Sequence, residues 1–228
     1  QRLAHLRYVN LTGGEPFLRE DIVGIARFFL ARYPALELAI PTNGLLVTKT
    51  LRKLEEILEG HDPARVAMGI SLDGIGPTHD RLRGIPGNFE KCVELTRALT
   101  ARWPTMRVGL GMTLSPDNFE ELARVYELAQ DLKVGFTTRF AQVSFYYHNE
   151  QPAQEQSPGW TPELKVRAHQ ALLALRDRRF ADAGVFAKTV DPAYAFLTEA
   201  VERTFNPERT HACYSGTHSF FLDPFGNV

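Results

Sequence analysis

Cysteine is scarce in this sequence, and its scarcity excludes one class of fold. Only Cys92 and Cys213 occur among 228 residues, too few for a disulfide framework. Charge of one sign is not in excess either, because the formal net charge is −1, which removes the electrostatic case for nucleic-acid binding. No apolar run approaches the roughly 18 residues of a membrane span, and no secretory leader opens the sequence. These absences predict a cytoplasmic protein with neither a membrane nor a nucleic-acid partner.

The composition is that of an ordinary globular protein. Hydrophobic residues make up 44% and charged residues 23% of the chain, which suits one domain or one domain with an appendage. Residue 1 is glutamine, a strand pattern follows almost at once, and the sequence stops at Val228 within a predicted hairpin. We therefore expect an internal piece of a longer protein.

Short apolar runs alternate with amphipathic segments up to residue 140, which is typical of βα units. The runs predict strands near residues 8–11, 36–40, 66–71, 106–113 and 136–140, with centres about thirty residues apart. Four helices are predicted between them, the third capped by Asn88 and the fourth starting at Ser115. This pattern predicts a parallel sheet, as a barrel or as an open doubly wound sheet, with its site at the carboxyl ends of the strands.

A glycine pair ends the first predicted strand, in the sequence Gly13-Gly14-Glu15-Pro16. The glycines let a ligand approach the backbone, while Pro16 fixes the direction of the chain. Bare peptide groups and the Glu15 carboxylate offer acceptors to a primary ammonium group. The alternative is an ordinary βα turn, in which glycine is common.

The Gly-Gly-Glu-Pro sequence resembles the motif with which radical S-adenosylmethionine (SAM) enzymes hold the amino group of SAM. The resemblance implies an α/β fold, namely a partial (β/α) barrel of parallel strands with a helical C-terminal appendage. The first strand seen here corresponds to the second strand of that barrel. By the same resemblance Gly13, Gly14, Glu15 and Pro16 bind the cofactor.

The third predicted strand ends in Ser71-Leu72-Asp73-Gly74, which strengthens the resemblance. In similar proteins a Ser-Leu-Asp sequence gives a hydroxyl to the SAM carboxylate or ribose, and this role would fall to Ser71. An arginine one loop later completes the carboxylate contact in these proteins. We prefer Arg83 to Arg81, because Arg83 precedes a glycine as in the relatives and its guanidinium offers a planar fork to a carboxylate.

Thr42 and Asp73 complete the predicted cofactor-binding residues, since both follow predicted strands. Each has a plain structural alternative. Thr42-Asn43-Gly44 is also a good turn sequence, and Asp73 is also suited to capping its turn.

Three regions are predicted along the chain. Residues 1–150 form the partial radical SAM barrel, and residues 151–210 form a helical linker region with helices opened by Thr161 and Asp191. Residues 211–228 resemble the start of a SPASM extension, whose pattern is a cysteine, a distant glycine and a second cysteine.

The two cysteines are predicted to have different roles. Cys213 precedes Gly226 as the first cysteine of a SPASM extension would, which implies that it ligates an auxiliary iron–sulfur cluster. Cys92 falls on the apolar side of a predicted helix, where cysteine acts as a small hydrophobic residue.

The family's cluster loop, Cys-x3-Cys-x2-Cys, does not occur in this sequence. The ligands of the [4Fe–4S] cluster should therefore precede Gln1, and this piece alone should be inactive. The resemblance implies an oxidoreductase or maturase that forms a 5′-deoxyadenosyl radical, acts on a small-molecule or peptide substrate and uses an electron donor such as flavodoxin or ferredoxin. Two alternatives are a non-catalytic (β/α) binding domain and a (β/α) enzyme that binds a metabolite.

Overall fold

The computed structural model describes residues 5–141 and 159–181. Five parallel strands form one sheet in the order β1-β2-β3-β4-β5. They are β1 (Tyr8–Asn10), β2 (Glu37–Thr42), β3 (Val66–Ser71), β4 (Arg107–Leu114) and β5 (Gly135–Phe140). The connecting helices are α1 (Ile22–Arg32), α2 (Val47–Leu58), α3 (Pro77–Arg83), α4 (Asn88–Arg102) and α5 (Leu122–Asp131).

The strand order decides between the two architectures that the sequence left open. Each strand pairs in parallel with the next strand along the chain. Crossovers between parallel strands are right-handed, so an unreversed order puts all the helices on one side of the sheet. The sheet therefore curls into a half-barrel, with the helices outside, rather than forming a doubly wound sheet. The predicted partial (β/α) barrel is confirmed.

The two faces of the sheet differ in the size of their side chains. The outer face holds large, fully buried residues that pack against the helices, among them Leu38, Ile40, Met68, Ile70, Leu110 and Met112. The half-buried inner face holds small residues from β2, β3 and β4, namely Ala39, Pro41, Ala67, Gly69, Ser71, Gly109, Gly111 and Thr113. Along β2, β3 and β4, large residues on the outer face thus alternate with small residues on the inner face.

The segment between β3 and β4 differs from the sequence prediction in two respects. The run around His79, predicted as loop, contains helix α3. The prediction that Asn88 caps the next helix is wrong, because Gly87 occupies the cap position and Asn88 makes no capping bond. The Asp80 carboxylate instead accepts hydrogen bonds from the backbone N–H groups of Gly87 and Phe89, at 2.6 and 2.9 Å. These bonds hold the pKa of Asp80 below its usual value.

A glycine follows the end of α2, and a turn precedes the start of α5. Gly60 lies just beyond the end of α2 with φ of +76°, a conformation typical of a terminating glycine. The fourth connecting helix begins later than Ser115, since a 3-10 turn at Phe119–Glu121 precedes α5. Asn118 lies between Ser115 and this 3-10 turn. Its side chain accepts a hydrogen bond from the Ser115 backbone N–H at 2.7 Å.

The chain divides into two compact units, Gln1–Trp160 and Thr161–Val228. The described part of the second unit is helix α6 (Pro162–Arg179), capped by the Thr161 hydroxyl, which accepts from the Leu164 N–H at 3.3 Å. This helix is the predicted start of the appendage. The predicted helix at Asp191 and the predicted SPASM segment lie outside the described residues. None of the helices in the described ranges has the length and apolarity that a bilayer crossing requires.

Candidate functional site

The turn after β1 exposes two glycines to solvent at the carboxyl end of the sheet. Gly13 has φ of +149°, which other residues rarely adopt. No atom lies within 4 Å of the position that a Cβ would take at Gly13 or Gly14, so both peptide groups face open space. The turn is anchored by Phe17, which follows Pro16 in a short 3-10 turn and is fully buried. A ligand could therefore reach the backbone here without displacing the protein.

The Glu15 carboxylate stands beside this turn and is held by three hydrogen bonds. Its Oε1 accepts from the Thr42 hydroxyl at 3.0 Å and from the Phe17 N–H at 3.2 Å. Its Oε2 accepts from the Asn43 N–H at 2.7 Å. These bonds tie the end of β1 to the end of β2 and fix the orientation of the carboxylate. A carboxylate accepts about four hydrogen bonds, so capacity remains for an ammonium group.

Thr42 lies on the helix-facing side of β2 and is buried. Besides donating to Glu15, its hydroxyl accepts from the Gly44 N–H at 3.2 Å. The structure therefore brings Thr42 to the same site as Glu15, with its hydroxyl directed at that carboxylate.

Ser71 ends β3 on the inner face, in register with Gly111 of β4. Its side chain is half-buried, and its hydroxyl makes no hydrogen bond to any described residue. A hydroxyl placed at a strand end with both donor and acceptor free is available to a ligand.

Asp73 and Arg83 meet just beyond the end of β3. Arg83 Nε lies 2.7 Å from Asp73 Oδ2, and because the Nε–H points off the line to the oxygen, the contact is an ion pair rather than a hydrogen bond. Asp73 Oδ1 accepts from the Thr113 N–H at 2.9 Å, so Asp73 joins the ends of β3 and β4. Arg83 is directed at the strand ends, and its terminal nitrogens make no hydrogen bond to other described residues.

His79 lies beneath this ion pair and is fully buried. Its Nδ1 accepts from the Asp73 N–H at 3.0 Å, so the proton of the neutral ring sits on Nε2. Nε2 lies 3.0 Å from the side-chain nitrogen of Asn88. Burial, reinforced by the neighbouring Arg83 charge, lowers the pKa of His79. The ring is thus a neutral structural link.

Cys92 is a buried residue of α4, as the sequence predicted. Its Sγ lies 3.4 Å from the Asn43 carbonyl oxygen and 3.7 Å from that of Ser71. Burial raises the pKa of Cys92 to about 12, so it is protonated at neutral pH. Such a thiol packs as a small hydrophobic side chain and does not serve as a metal ligand.

Asn118 belongs to the site but was not found from the sequence. Its side-chain nitrogen donates to the carbonyl oxygens of Asp73 and Thr113, both at 2.9 Å. The side chain is buried, so it fixes the two strand ends from below. The signal for this role was the asparagine in the Ser-Pro-Asp-Asn turn sequence, which was instead assigned to a helix start.

No three His, Cys, Asp or Glu side chains in residues 5–141 and 159–181 converge on a point where they could hold a metal ion. Cys213, the predicted ligand of an auxiliary cluster, lies outside the described ranges. The residues present thus fit the amino acid part of SAM, with open peptide groups, a fixed carboxylate and a free hydroxyl, but supply no cluster ligands.

A half-barrel with a Gly-Gly-Glu-Pro turn at its carboxyl end defines the class of protein. Residues 1–129 match the model of the Radical SAM superfamily, and since this is more than half of the chain, the protein belongs to that superfamily.

Several curated proteins are similar to this chain. Pre-heme d1 synthase of Dinoroseobacter shibae is 36% identical over 53% of this chain and 28% of its own length. Fe-coproporphyrin III synthase of Methanosarcina barkeri is 30% identical over 55% of this chain and 29% of its own length. GTP 3′,8-cyclase of Sulfurimonas denitrificans is 24% identical over 97% of this chain and 58% of its own length.

Among solved structures, Streptococcus suis SuiB superposes with a TM-score of 0.56 at 15% identity. The match covers 75% of this chain and 37% of SuiB, and it supports the fold alone. The chain spans less than a third of the length of the two synthases.

Proposed function

We propose that the full-length protein is an enzyme that cleaves SAM reductively, and that this chain holds the amino acid part of SAM. The observation that carries the proposal is the open turn at Gly13 and Gly14 beside the fixed Glu15 carboxylate. Peptide groups and a carboxylate that are accessible together suit a primary ammonium group. Membership of the Radical SAM superfamily supports the same reading.

Ser71 and Arg83 are proposed to hold the SAM carboxylate. Ser71 has a free hydroxyl at the end of β3, and Arg83 keeps its terminal nitrogens free although its Nε faces Asp73. In this proposal Pro16 fixes the turn, while Thr42 and Asp73 act as positioning residues, because the Thr42 hydroxyl orients Glu15 and the Asp73 carboxylate orients Arg83.

When SAM is bound to a reduced [4Fe–4S] cluster, its cleavage supplies a 5′-deoxyadenosyl radical that abstracts a hydrogen atom from the substrate. We assign the cluster ligands to residues that precede Gln1, because Cys92 is buried and protonated. An electron donor such as flavodoxin or ferredoxin is the partner that this chemistry requires. We further propose that Cys213 ligates an auxiliary cluster in the full-length protein.

A small molecule is the proposed substrate. Two of the relatives named above are called synthases of a heme or an iron porphyrin, and the third is called a GTP cyclase. The expectation of peptide or protein maturation draws no support from these names. An oxidoreductase acting on a small molecule is therefore preferred to a maturase.

Gly14→Ala in the full-length protein tests the SAM site. No atom lies within 4 Å of the added methyl position, so thermal unfolding should be unchanged. The methyl group should keep SAM from the backbone and weaken its binding about tenfold in calorimetry on reconstituted protein. Gly24→Ala is the matched control, because its added methyl group also meets open space but lies on α1, away from the strand ends.

Equal SAM affinity in the Gly14→Ala variant and the unsubstituted protein would contradict the assignment of the site. Formation of 5′-deoxyadenosine after chemical reduction of the unsubstituted protein tests the enzyme proposal separately. SAM binding without 5′-deoxyadenosine would favour the non-catalytic binding domain. Neither binding nor cleavage would favour an enzyme for another metabolite.

A further inference from the structure

The inner face of the sheet contains a row of three glycines on neighbouring strands, continued by a proline. The strand registers place Gly69, Gly109 and Gly135 side by side on β3, β4 and β5, with Pro41 next to them on β2. Neighbouring strands lie about 4.8 Å apart, so the row from β2 to β5 spans about 14 Å. We call this row, together with the adjacent Gly111, the glycine floor. Its peptide groups are half-buried on β3 and β4 and exposed on β5.

The fold itself explains only some of these glycines. A Cβ at Gly109 would lie 3.3 Å from the Gly135 carbonyl oxygen, which crowds β5. A Cβ at Gly69 or Gly111 would meet its nearest atoms at 3.8 and 3.7 Å, which are ordinary contacts, and neither residue has a positive φ. Glycine inside a strand is less stable than alanine, because it loses more conformational freedom on folding. Gly69 and Gly111 therefore carry this cost without a packing reason among the described residues.

Arg139 carries a positive charge near Gly111 of the glycine floor, and it has no partner among the residues that the structure describes. Arg139 of β5 is in register with Thr113 of β4 and belongs to the same face as Gly111 and Thr137. Its side chain is exposed, and it makes no hydrogen bond or ion pair within the described ranges. An unpaired guanidinium at a strand end is suited to a carboxylate, to which it can donate two parallel hydrogen bonds.

Two other arginines near these strands, Arg107 and Arg83, have carboxylate partners. Arg107 of β4 lies 2.6 Å from Glu37 of β2, at the amino end of the sheet. Arg83 has Asp73 as its partner near the opposite end. Within residues 5–141 and 159–181, Arg139 thus adds an unpaired positive charge near Gly111, which favours an anionic ligand.

We propose that the glycine floor and Arg139 bind the substrate, and that this substrate is a flat macrocyclic ring that carries carboxylate groups. The ring would lie on the peptide groups of β3, β4 and β5, and one of its carboxylates would pair with Arg139. A ring of this kind matches the breadth of the floor, whereas a single purine would leave most of it uncovered. The proposal rests on the proposed function, because it names the substrate class of that enzyme.

The floor and the proposed SAM site share β3 and otherwise occupy different strands. Glu15 follows β1, and Ser71 ends β3 two residues beyond Gly69 of the floor, while Arg139 lies near the end of β5. Gly111, the part of the floor nearest the carboxyl ends of the strands, is in register with Ser71, so a macrocycle that reaches Gly111 would lie next to a cofactor held at Ser71. This adjacency is what hydrogen abstraction from the substrate requires.

Coproporphyrin III, a flat carboxylated macrocycle, is the probe that tests the proposal. It is titrated into the full-length protein without SAM or reductant, and binding is followed by porphyrin absorbance. Arg139→Gln should weaken binding about tenfold, because a charge-assisted pair is lost. The methyl ester of the same porphyrin has no carboxylates, so Arg139→Gln should leave its weaker binding unchanged.

Gly69→Ala and Gly111→Ala test the floor. Each adds one methyl group that the protein accommodates, so thermal unfolding should be retained while coproporphyrin III binding falls about tenfold. Arg97→Gln is the charge control, since Arg97 is an exposed arginine of α4 without an ion pair in the described chain. It should bind the porphyrin like the unsubstituted protein.

The proposal is overturned if the unsubstituted protein does not bind coproporphyrin III, or if Arg139→Gln and Arg97→Gln have equal effects. Calorimetric binding of GTP instead of the porphyrin would also overturn it. The porphyrin titrations use no SAM, so a negative result in them does not count against the proposed cleavage of SAM. That cleavage is tested separately by the 5′-deoxyadenosine assay.

Discussion

His79 joins three segments of the chain through one neutral ring. Nδ1 accepts from the Asp73 backbone, Nε2 is bonded to the Asn88 side chain, and the ring itself belongs to α3. A protonated ring could not accept at Nδ1, so protonation would break the link to the end of β3. The predicted cofactor residues at that strand end therefore depend on an uncharged histidine.

The pKa of His79, lowered chiefly by burial, makes a prediction about pH. As pH falls below the unfolded value of about 6.5, the unfolded chain takes up the proton before the folded chain does. Stability is therefore full above about pH 6.5 and is lost below it, by up to about 1.4 kcal/mol per pH unit. His79→Asn keeps an acceptor near the Asp73 N–H but cannot titrate.

Urea unfolding of the full-length protein and of His79→Asn between pH 8 and pH 5 measures this loss. The difference in free energy of unfolding should favour the unsubstituted protein at pH 8 and shrink toward pH 5. Because all other histidines are common to both proteins, they cancel in the difference. A difference that stays constant with pH would show that His79 does not titrate on unfolding.

Close packing between the loop before α2 and helix α4 depends on a glycine. Gly44 has φ of +76°, and a Cβ there would lie 2.6 Å from the Cys92 Sγ and 3.3 Å from the Cys92 Cα. The adjacent Asn43 supplies a backbone N–H to Glu15. The approach of the two elements thus supports the position of the Glu15 carboxylate.

Gly44→Ala should destabilise the protein by about 2–4 kcal/mol, since it adds a positive-φ strain to a steric clash. Gly60→Ala is the matched control, because Gly60 has the same φ but its Cβ would meet open space. That control should cost only about 1–2 kcal/mol.

Denaturant unfolding of both variants separates clash from strain. Cys92→Ala should recover part of the loss when combined with Gly44→Ala, because it removes the closest atom. Equal costs at positions 44 and 60 would mean that α4 moves aside freely, and the proposed support of Glu15 would then be incorrect.

At the scale of the whole molecule, hydrophobic periodicity was enough to predict the positions of the five strands along the sequence. It could not predict α3, which has seven residues and only one large apolar side chain, Leu82. That helix is held by the buried contacts of His79 and by the Asp80 carboxylate, which caps α4. Such contacts depend on residues that meet only in the folded chain, so the helix propensity of the segment alone does not predict them.

The candidate site was predicted to a different degree at each strand end. Gly13, Glu15 and Ser71 lie at the carboxyl end of the sheet as expected, because parallel strands bring their ends to one edge. The glycine floor was missed, because glycine and alanine were read as parts of continuous apolar runs. Only the register of the strands shows that these small residues share the inner face.

The last prediction concerns the iron content of the full-length protein. Cys213 matches the first cysteine of a SPASM extension, whereas Cys92 is buried and protonated and belongs to no group of three or more potential metal ligands among the described residues. Cys213→Ala should therefore lower iron after anaerobic reconstitution by about one cluster's worth, because removing a thiolate ligand weakens a cluster. Cys92→Ala, the control with the same chemical change, should keep full iron.

Iron and acid-labile sulfide are measured per protein in both variants, and the cluster that binds SAM is followed by its spectrum after SAM addition. Unchanged iron in the Cys213→Ala variant would assign that residue a structural role, and the function would then rest on the residues of the half-barrel.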